Sequence, residues 1–112
     1  MGYRSDVALA LEPDAAMLLK ILANHNKNLR DLIRDCHTKT GWYPDDRGVT
    51  KLFWESVKWY NSYKEIECIE EFLAHLTEEE YYFIRLGEEC DDVEKCGQFY
   101  EAEMYVMRSI SF

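Results

Sequence analysis

The chain has 112 residues, of which 47% are hydrophobic and 14% are aromatic, and it carries a formal net charge of −9. This composition excludes a disordered acidic chain, because such chains lack the apolar residues that build a core, and the length predicts one domain spanning residues 1–112. Since no apolar run approaches the roughly 20 residues of a membrane-spanning helix, we expect a cytoplasmic protein that binds no membrane.

The first third of the chain predicts a strand followed by a long helical segment. Residues Tyr3 to Leu11 alternate between apolar and polar positions, as in a half-buried strand. A helix is predicted from Pro13 onward, and because Asn24 to Asn28 is a run of poor helix formers, we expect a kink or break there. The predicted core stripe of this segment consists of Leu18, Leu22, His25, Leu29, Leu32 or Ile33, and Cys36.

The middle of the chain predicts a loop, a strand and a second helix. Thr38 to Gly48 is rich in turn residues and is predicted to be a loop. Val49 to Tyr60 is dense in β-branched and aromatic residues, which predicts a central strand. Ser62 and Glu65 fit a capping box at the start of the second helix. That helix has an apolar stripe of Ile66, Ile69, Phe72 or Leu73, and Leu76, and an outer acidic face of Glu67, Glu70 and Glu71.

The last third of the chain returns to strands. Tyr81 to Glu89 is predicted to be a strand, followed by a polar turn with a further short strand near Val93, and Met104 to Phe112 is predicted to be the final strand. Because helical crossovers permit parallel pairing, the order β-α-β-α-β-β predicts an α+β domain. We expect a mixed four-stranded sheet with two helices on one face.

Several short segments of the chain resemble one group of proteins. They are GYRSDVA at Gly2–Ala8, ESVKWY at Glu55–Tyr60, FIRLGEE at Phe83–Glu89 followed by Asp91 and Asp92, and Arg108–Ile110. Along nearly its whole length the chain resembles a family of small proteins encoded by tailed bacteriophages and prophages. The resemblance implies a viral protein in the host cytoplasm with an accessory role such as countering host defence, and it supplies no catalytic residue.

The negative charge lies in the second half of the chain. Residues 1–61 hold nine Lys and Arg against eight Asp and Glu, whereas residues 62–112 hold four against fourteen, a net charge of −10. A field of one sign repels nucleic acid and attracts basic partners, and surplus tyrosines are typical of interfaces. The predicted partner-binding face consists of Glu67, Glu70, Glu71, Glu78, Glu79, Glu80, Tyr81, Glu88, Glu89, Asp91, Asp92, Glu94 and Tyr100.

These observations predict a non-enzymatic binding protein whose partner is a host protein with a basic surface. A nucleic-acid-handling defence complex fits this description, because its phosphate-binding groove presents Lys and Arg to which carboxylates can bind instead. The sequence therefore predicts a phage inhibitor of the anti-CRISPR kind that binds no nucleic acid itself.

The alternative hypothesis is a cation-dependent enzyme or small-ligand-binding domain. Five carboxylates lie between Glu88 and Glu94, and hard cations prefer oxygen ligands, but the run lacks EF-hand spacing and a solvated turn is favoured. Cysteine and histidine spacings do not match a structural zinc site. Cys90 and Cys96 flank the turn and could meet across a hairpin. We predict no catalytic residue, no metal site and no cofactor.

Overall fold

In the computed structural model, which describes residues 2–40, 49–89, 91–99, 105–106 and 110–111, the chain forms a five-stranded antiparallel sheet. Its strands are β1 (Ser5–Leu11), β2 (Thr38–Thr40), β3 (Thr50–Val57), β4 (Tyr81–Gly87) and β5 (Val93–Gly97). The strand order is β2-β3-β1-β4-β5, so that β1 lies at the centre and β5 at one edge. The predicted short strand near Val93 is therefore confirmed as β5.

Three helices pack on one face of this sheet. They are α1 (Pro13–His25), α2 (Lys27–Arg34) and α3 (Lys64–Ala74), and a 3-10 turn at Glu78–Glu80 precedes β4. The predicted break in the first helical segment is confirmed at Asn26, which ends α1 in extended backbone. Its Oδ1 accepts a hydrogen bond of 3.2 Å from the Leu29 backbone N–H and so caps α2.

The core lies on both sides of β1. Val7, Leu9 and Leu11 face the helices together with Trp54, while Ala8 and Ala10 face the opposite side with Tyr82, Ile84 and Phe99. Trp54 is 1% exposed, and its Nε1 donates to the Leu32 carbonyl oxygen at 2.9 Å, which ties β3 to α2. Burial on both faces explains why β1 is apolar at almost every position.

The α+β class and the helices on one face are confirmed, and the order of elements roughly matches, but among the described residues the sheet has five strands rather than four, three helices pack on it rather than two, and the expected mixed pairing is wrong. β1 pairs antiparallel with both β3 and β4. The strands that the helices link, β1 with β2 and β3 with β4, do run in the same direction, as crossovers require. The strands of each pair are not neighbours in the sheet. β2, which lies inside the segment predicted as a loop, pairs antiparallel with β3 instead. β3 therefore returns between β2 and β1, and β1 separates β3 from β4.

The predicted core stripe is wrong for α1. Leu18 is 42% exposed and Leu22 is 37% exposed, whereas Leu19 and three alanines face the sheet. In the sequence, the apolar positions keep the same helical spacing on both sides of Asn26. Because the break at Asn26 changes the direction of the helix, α1 and α2 nevertheless present different positions to the core.

Two predictions near element ends are also corrected. The helix predicted to start with a capping box at Ser62 and Glu65 is α3, which begins at Lys64 with Tyr63 as its N-cap and has no side-chain cap. A capping box is instead present at Thr77 and Glu80, at the start of the 3-10 turn. The predicted final strand is two strands, β6 (Tyr105–Val106) and β7 (Ile110–Ser111), which pair with each other in a separate two-stranded sheet.

Candidate functional site: an acidic edge and a groove beside it

An ion-pair network lies on the helix-facing side of β4 and β5. Arg85 Nη2 donates to Asp92 Oδ1 at 2.8 Å, Nη1 donates to Asp92 Oδ2 at 3.2 Å, and Nε donates to Glu94 Oε1 at 3.0 Å. A fourth bond of 3.1 Å joins Nη1 to Ser5 Oγ on β1. Arg85 and Glu94 are directly opposed in the β4–β5 register, so the pairing of the hairpin fixes this network.

Tyr3 completes the network from the N-terminal segment. Its hydroxyl donates to Asp92 Oδ2 at 2.6 Å and accepts from the Glu89 backbone N–H at 3.2 Å. Hydrogen bonds from Arg85 and Tyr3 lower the pKa of Asp92, and the bond to Asp92 raises the pKa of the Tyr3 hydroxyl. A Cβ at Gly87 would overlap the Asp92 carboxylate and the Tyr3 hydroxyl, so these side chains pack directly on the strand backbone.

A groove of about 290 Å³ lies between α3 and the β4–β5 hairpin. It forms because α3 covers the sheet as far as Phe83 and leaves the helix-facing side of β5 partly open. Two carboxylates, Glu70 and Glu94, line it. The other lining residues are Asn61, Leu73, Ala74, Tyr81, Phe83 and Cys96. The groove therefore combines an apolar wall with two acidic groups.

Glu70 occupies an unfavourable position for a charged group. It is half-buried rather than on the outer face of α3, where the sequence analysis placed it. Burial raises its pKa, the negative charge of Glu94 raises it further, and the Trp59 indole N–H and Arg85 act in the opposite direction. When the Asn61 side-chain amide is oriented with its nitrogen toward Glu70, this nitrogen lies 3.0 Å from Glu70 Oε1 and 3.2 Å from Glu70 Oε2.

The indole N–H of Trp59 is a buried donor beside this carboxylate. Trp59 is 7% exposed, and its Nε1 makes no hydrogen bond in the described structure, although Glu70 lies close enough for the indole N–H to lower the pKa of that carboxyl. The ring packs against Trp54 at a centroid distance of 5.2 Å and against Phe83 at 6.0 Å, which fixes its orientation. An unpaired buried donor costs free energy, and this one lies beside the groove near its destabilised carboxylate.

Several of the predicted site residues follow the edge strand β5 from one end to the other. Glu78 lies at the end near Gln98, whose backbone N–H donates to the Glu78 carbonyl oxygen at 2.6 Å, and Glu88 and Glu89 lie in the turn at the other end. We call this surface the acidic edge. It consists of Glu70, Glu78, Glu79, Glu88, Glu89, Asp91 and Glu94.

Other predicted site residues have different roles. Glu80 is bound to Thr77 in the capping box, and Asp92 is bound to Arg85 and Tyr3. Glu67 and Glu71 are exposed on α3, and Glu71 lines a groove on the α2 side of that helix. Tyr81 lines the groove at Glu70 and is half-buried, while Tyr100 lies outside the described residues.

Within the described part of the chain, no group of three or more His, Cys, Asp or Glu side chains is arranged to hold a metal ion. The acids of the 88–94 turn diverge, because Asp92 turns inward to Arg85 while Glu88 and Glu89 face solvent. Cys68 and Cys96 are free thiols, and Cys90 lies outside the described residues. His25, predicted to lie in the core stripe of the first helical segment, is exposed, and so is His75.

The sequence analysis missed an exposed apolar face on α1. Met17 is 63% exposed and Ile21 is 51% exposed, and Leu18 and Leu22 extend the same face. The signal was present in the sequence, because α1 has large apolar residues on both sides of its axis, a pattern typical of a helix that is covered on both sides.

None of the helices in the described segments has the length and apolarity needed to cross a bilayer. Comparison of the chain with protein-family models, with curated proteins and with solved structures found no match.

Proposed function

We propose that this protein is a non-enzymatic binding protein that docks on a basic surface of another protein through the acidic edge. The observation that carries the proposal is that carboxylates lie at both ends of β5, with Glu94 on the strand itself, and that β5 is an edge strand whose outer backbone groups face away from the sheet. Carboxylates of one sign along one edge steer a basic partner into place and set the register of contact.

The edge strand adds a second means of attachment. A strand at a sheet edge can pair with an extended segment of a partner, and the backbone bonds then provide affinity while side chains provide selectivity. On β5, Glu94 and Cys96 face the helices, and Val93 and Lys95 face the other side. A partner segment that pairs with β5 therefore meets acidic groups on the helix side.

The finer form of the proposal follows from the resemblance to phage proteins. We infer that the partner is a host protein that handles nucleic acid, and that the acidic edge occupies the groove in which phosphates bind. In this mechanism the protein acts in the host cytoplasm, inhibits a defence complex in the manner of an anti-CRISPR protein, and binds no nucleic acid itself.

Capture of the partner from host cells, followed by binding measurements over a salt series, tests the proposal. We expect the affinity to fall steeply as salt rises. The double variant Glu79→Gln, Glu89→Gln should lose about 2- to 30-fold in affinity and show a weaker salt dependence, since exposed charges at an interface contribute about 0.2–1 kcal/mol each.

The matched control is Asp14→Asn, Glu55→Gln, which makes the same change in net charge at exposed positions away from the acidic edge. It should bind like the wild type. Equal losses in both double variants, or an affinity that does not depend on salt, would contradict a role for the acidic edge.

A further inference from the structure

The groove at Glu70 is shaped for a long side chain with a charged end. Its inner wall is apolar, from Leu73 and Ala74 on α3 and from Phe83 on β4, and its volume is about 290 Å³. The carboxylates of Glu70 and Glu94 line the same groove. Arginine and lysine side chains match this arrangement, because their stems cover apolar surface while their charged heads stay at polar groups.

The electrostatics of the groove favour binding of a cation. Glu70 and Glu94 repel each other strongly enough for Glu94 to raise the pKa of Glu70. Arg85 bonds to Glu94 through Nε, but its two terminal nitrogens are directed to Asp92 and Ser5. The network therefore neutralises Asp92 well and leaves the Glu70 side of the groove with excess negative charge.

The buried Trp59 indole N–H lies beside the groove. It makes no hydrogen bond in the described structure, yet it is close enough to Glu70 to lower the pKa of that carboxyl. A cation between Glu70 and Glu94 would remove the repulsion that opposes ionisation of Glu70. One carboxylate oxygen of Glu70 could then accept from the cation and the other from Trp59.

We propose that the groove between α3 and β5 binds the side chain of one arginine of the partner, with the guanidinium between Glu70 and Glu94. Arginine is favoured over lysine because its planar guanidinium presents five donors, which can serve two carboxylates at once, and it stacks on aromatic rings such as those of Phe83 and Tyr81. A divalent cation fits less well, because it requires six or more oxygen ligands rather than an apolar wall.

This inference rests on the proposed function, and a small probe tests it separately. N-acetyl-arginine N-methylamide is titrated into the full-length ¹⁵N-labelled protein, and the Trp59 indole N–H resonance is followed by NMR. We expect this resonance to shift and to saturate. The neutral isostere N-acetyl-citrulline N-methylamide should leave it unmoved.

Variants of two glutamates on α3 provide the matched comparison. Glu70→Gln should weaken binding of the arginine probe about tenfold, since a hydrogen bond to a charged group contributes about 1.5–3 kcal/mol. Glu67→Gln removes the same charge one turn away, on the exposed face, and should change binding less than twofold. Circular dichroism of both variants checks that they fold.

Three results with the small probes would overturn the proposal. The first is a Trp59 resonance that does not move at roughly 0.1 M arginine probe, a concentration well above a millimolar dissociation constant. The second is an equal loss of binding in Glu67→Gln and Glu70→Gln, and the third is a lysine probe that binds as tightly as the arginine probe. If binding of a captured partner is weakened by the double variant Glu79→Gln, Glu89→Gln but not by Glu70→Gln, the arginine groove is overturned and the proposed function stands. If arginine binding is saturable but substitutions in the acidic edge do not affect binding of a partner, the arginine groove stands and the proposed function is overturned.

Discussion

Two carboxylates of the acidic half, Asp92 and Glu70, occupy opposite environments a short distance apart. Asp92 receives two hydrogen bonds from Arg85 and one from Tyr3, and these lower its pKa. Glu70 is half-buried near Glu94, and both burial and that neighbour raise its pKa. Both residues contribute to the same net charge, but Asp92 is paired with the cationic Arg85 guanidinium, whereas the donors near Glu70 are the neutral Asn61 amide and Trp59 indole.

The difference separates acids that hold the fold together from acids that remain available for binding. A carboxylate with satisfied hydrogen bonds links strands and gains little from a partner, whereas a carboxylate that opposes folding gains from any cation that reaches it. Proteins retain such unfavourable groups mostly where function needs them. Whether the charged form of a carboxylate stabilises or destabilises the folded state therefore distinguishes the acids that hold the fold together from those available for binding.

The largest predicted effect is that of Arg85→Ala. Its side chain is 18% exposed, and its removal would leave Glu94 without the Arg85 donor and Asp92 with the Tyr3 hydroxyl alone. We expect the free energy of unfolding to fall by about 1–3 kcal/mol, the usual cost of leaving polar partners unsatisfied. Urea denaturation measures this change.

Arg34→Ala is the control for that experiment. Arg34 also contacts two carboxylates, Asp31 at 3.4 Å and Asp35 at 3.5 Å, but its side chain is 70% exposed. Such surface pairs contribute about 0–1 kcal/mol, so this variant should stay near wild-type stability. Equal destabilisation by the two substitutions would show that the network at Arg85 does not link the strands as described.

Asp92→Asn should have a smaller effect, because Arg85 keeps Glu94 and Ser5 as partners. The folded-state pKa of Asp92 lies below its ordinary value, so its stabilisation is complete above about pH 4. It is lost as pH falls through the lower folded-state pKa. Thermal unfolding should show the variant less stable at pH 7, with the difference shrinking in acid.

Asp91→Asn is the neighbouring control, since Asp91 is exposed and lies outside the Arg85 network. Its melting temperature should stay close to that of the wild type at every pH. A difference between Asp92→Asn and the wild type that persists undiminished below pH 2 would mean that ionisation of Asp92 is not the source of its stabilisation.

Most of the longer strands and helices were predicted from the sequence, because each has a strong periodic or compositional signal. The alternation in β1 and the density of aromatic residues in β3 are local patterns, and the run of poor helix formers marks the break at Asn26. The pairing of the strands was not predictable in the same way. It depends on β2, which has only three residues, and on the position of β1 between β3 and β4.

The acidic half was visible in the sequence, but the roles of its members were not. Asp92 and Glu70 have the same formal charge, and their difference arises from the β4–β5 register, which places Arg85 opposite Glu94. It arises also from the rotation of α3, which turns Glu70 toward β5. The β4–β5 register was not available in advance, because a hairpin centred on the predicted turn would not have placed Arg85 opposite Glu94.

The smallest predicted effect has the opposite sign and is that of Glu70→Gln. Because the folded-state pKa of Glu70 lies above its ordinary value, its charged form opposes folding at neutral pH, and the wild type recovers this loss as pH falls through that pKa. The variant should be more stable at pH 7 by less than about 1 kcal/mol, since water screens a partly exposed charge, and equal to the wild type near pH 3. Glu67→Gln should change nothing at either pH. If Glu70→Gln destabilises the protein at pH 7, Glu70 belongs with Asp92 among the groups that hold the fold together, and the comparison between them fails.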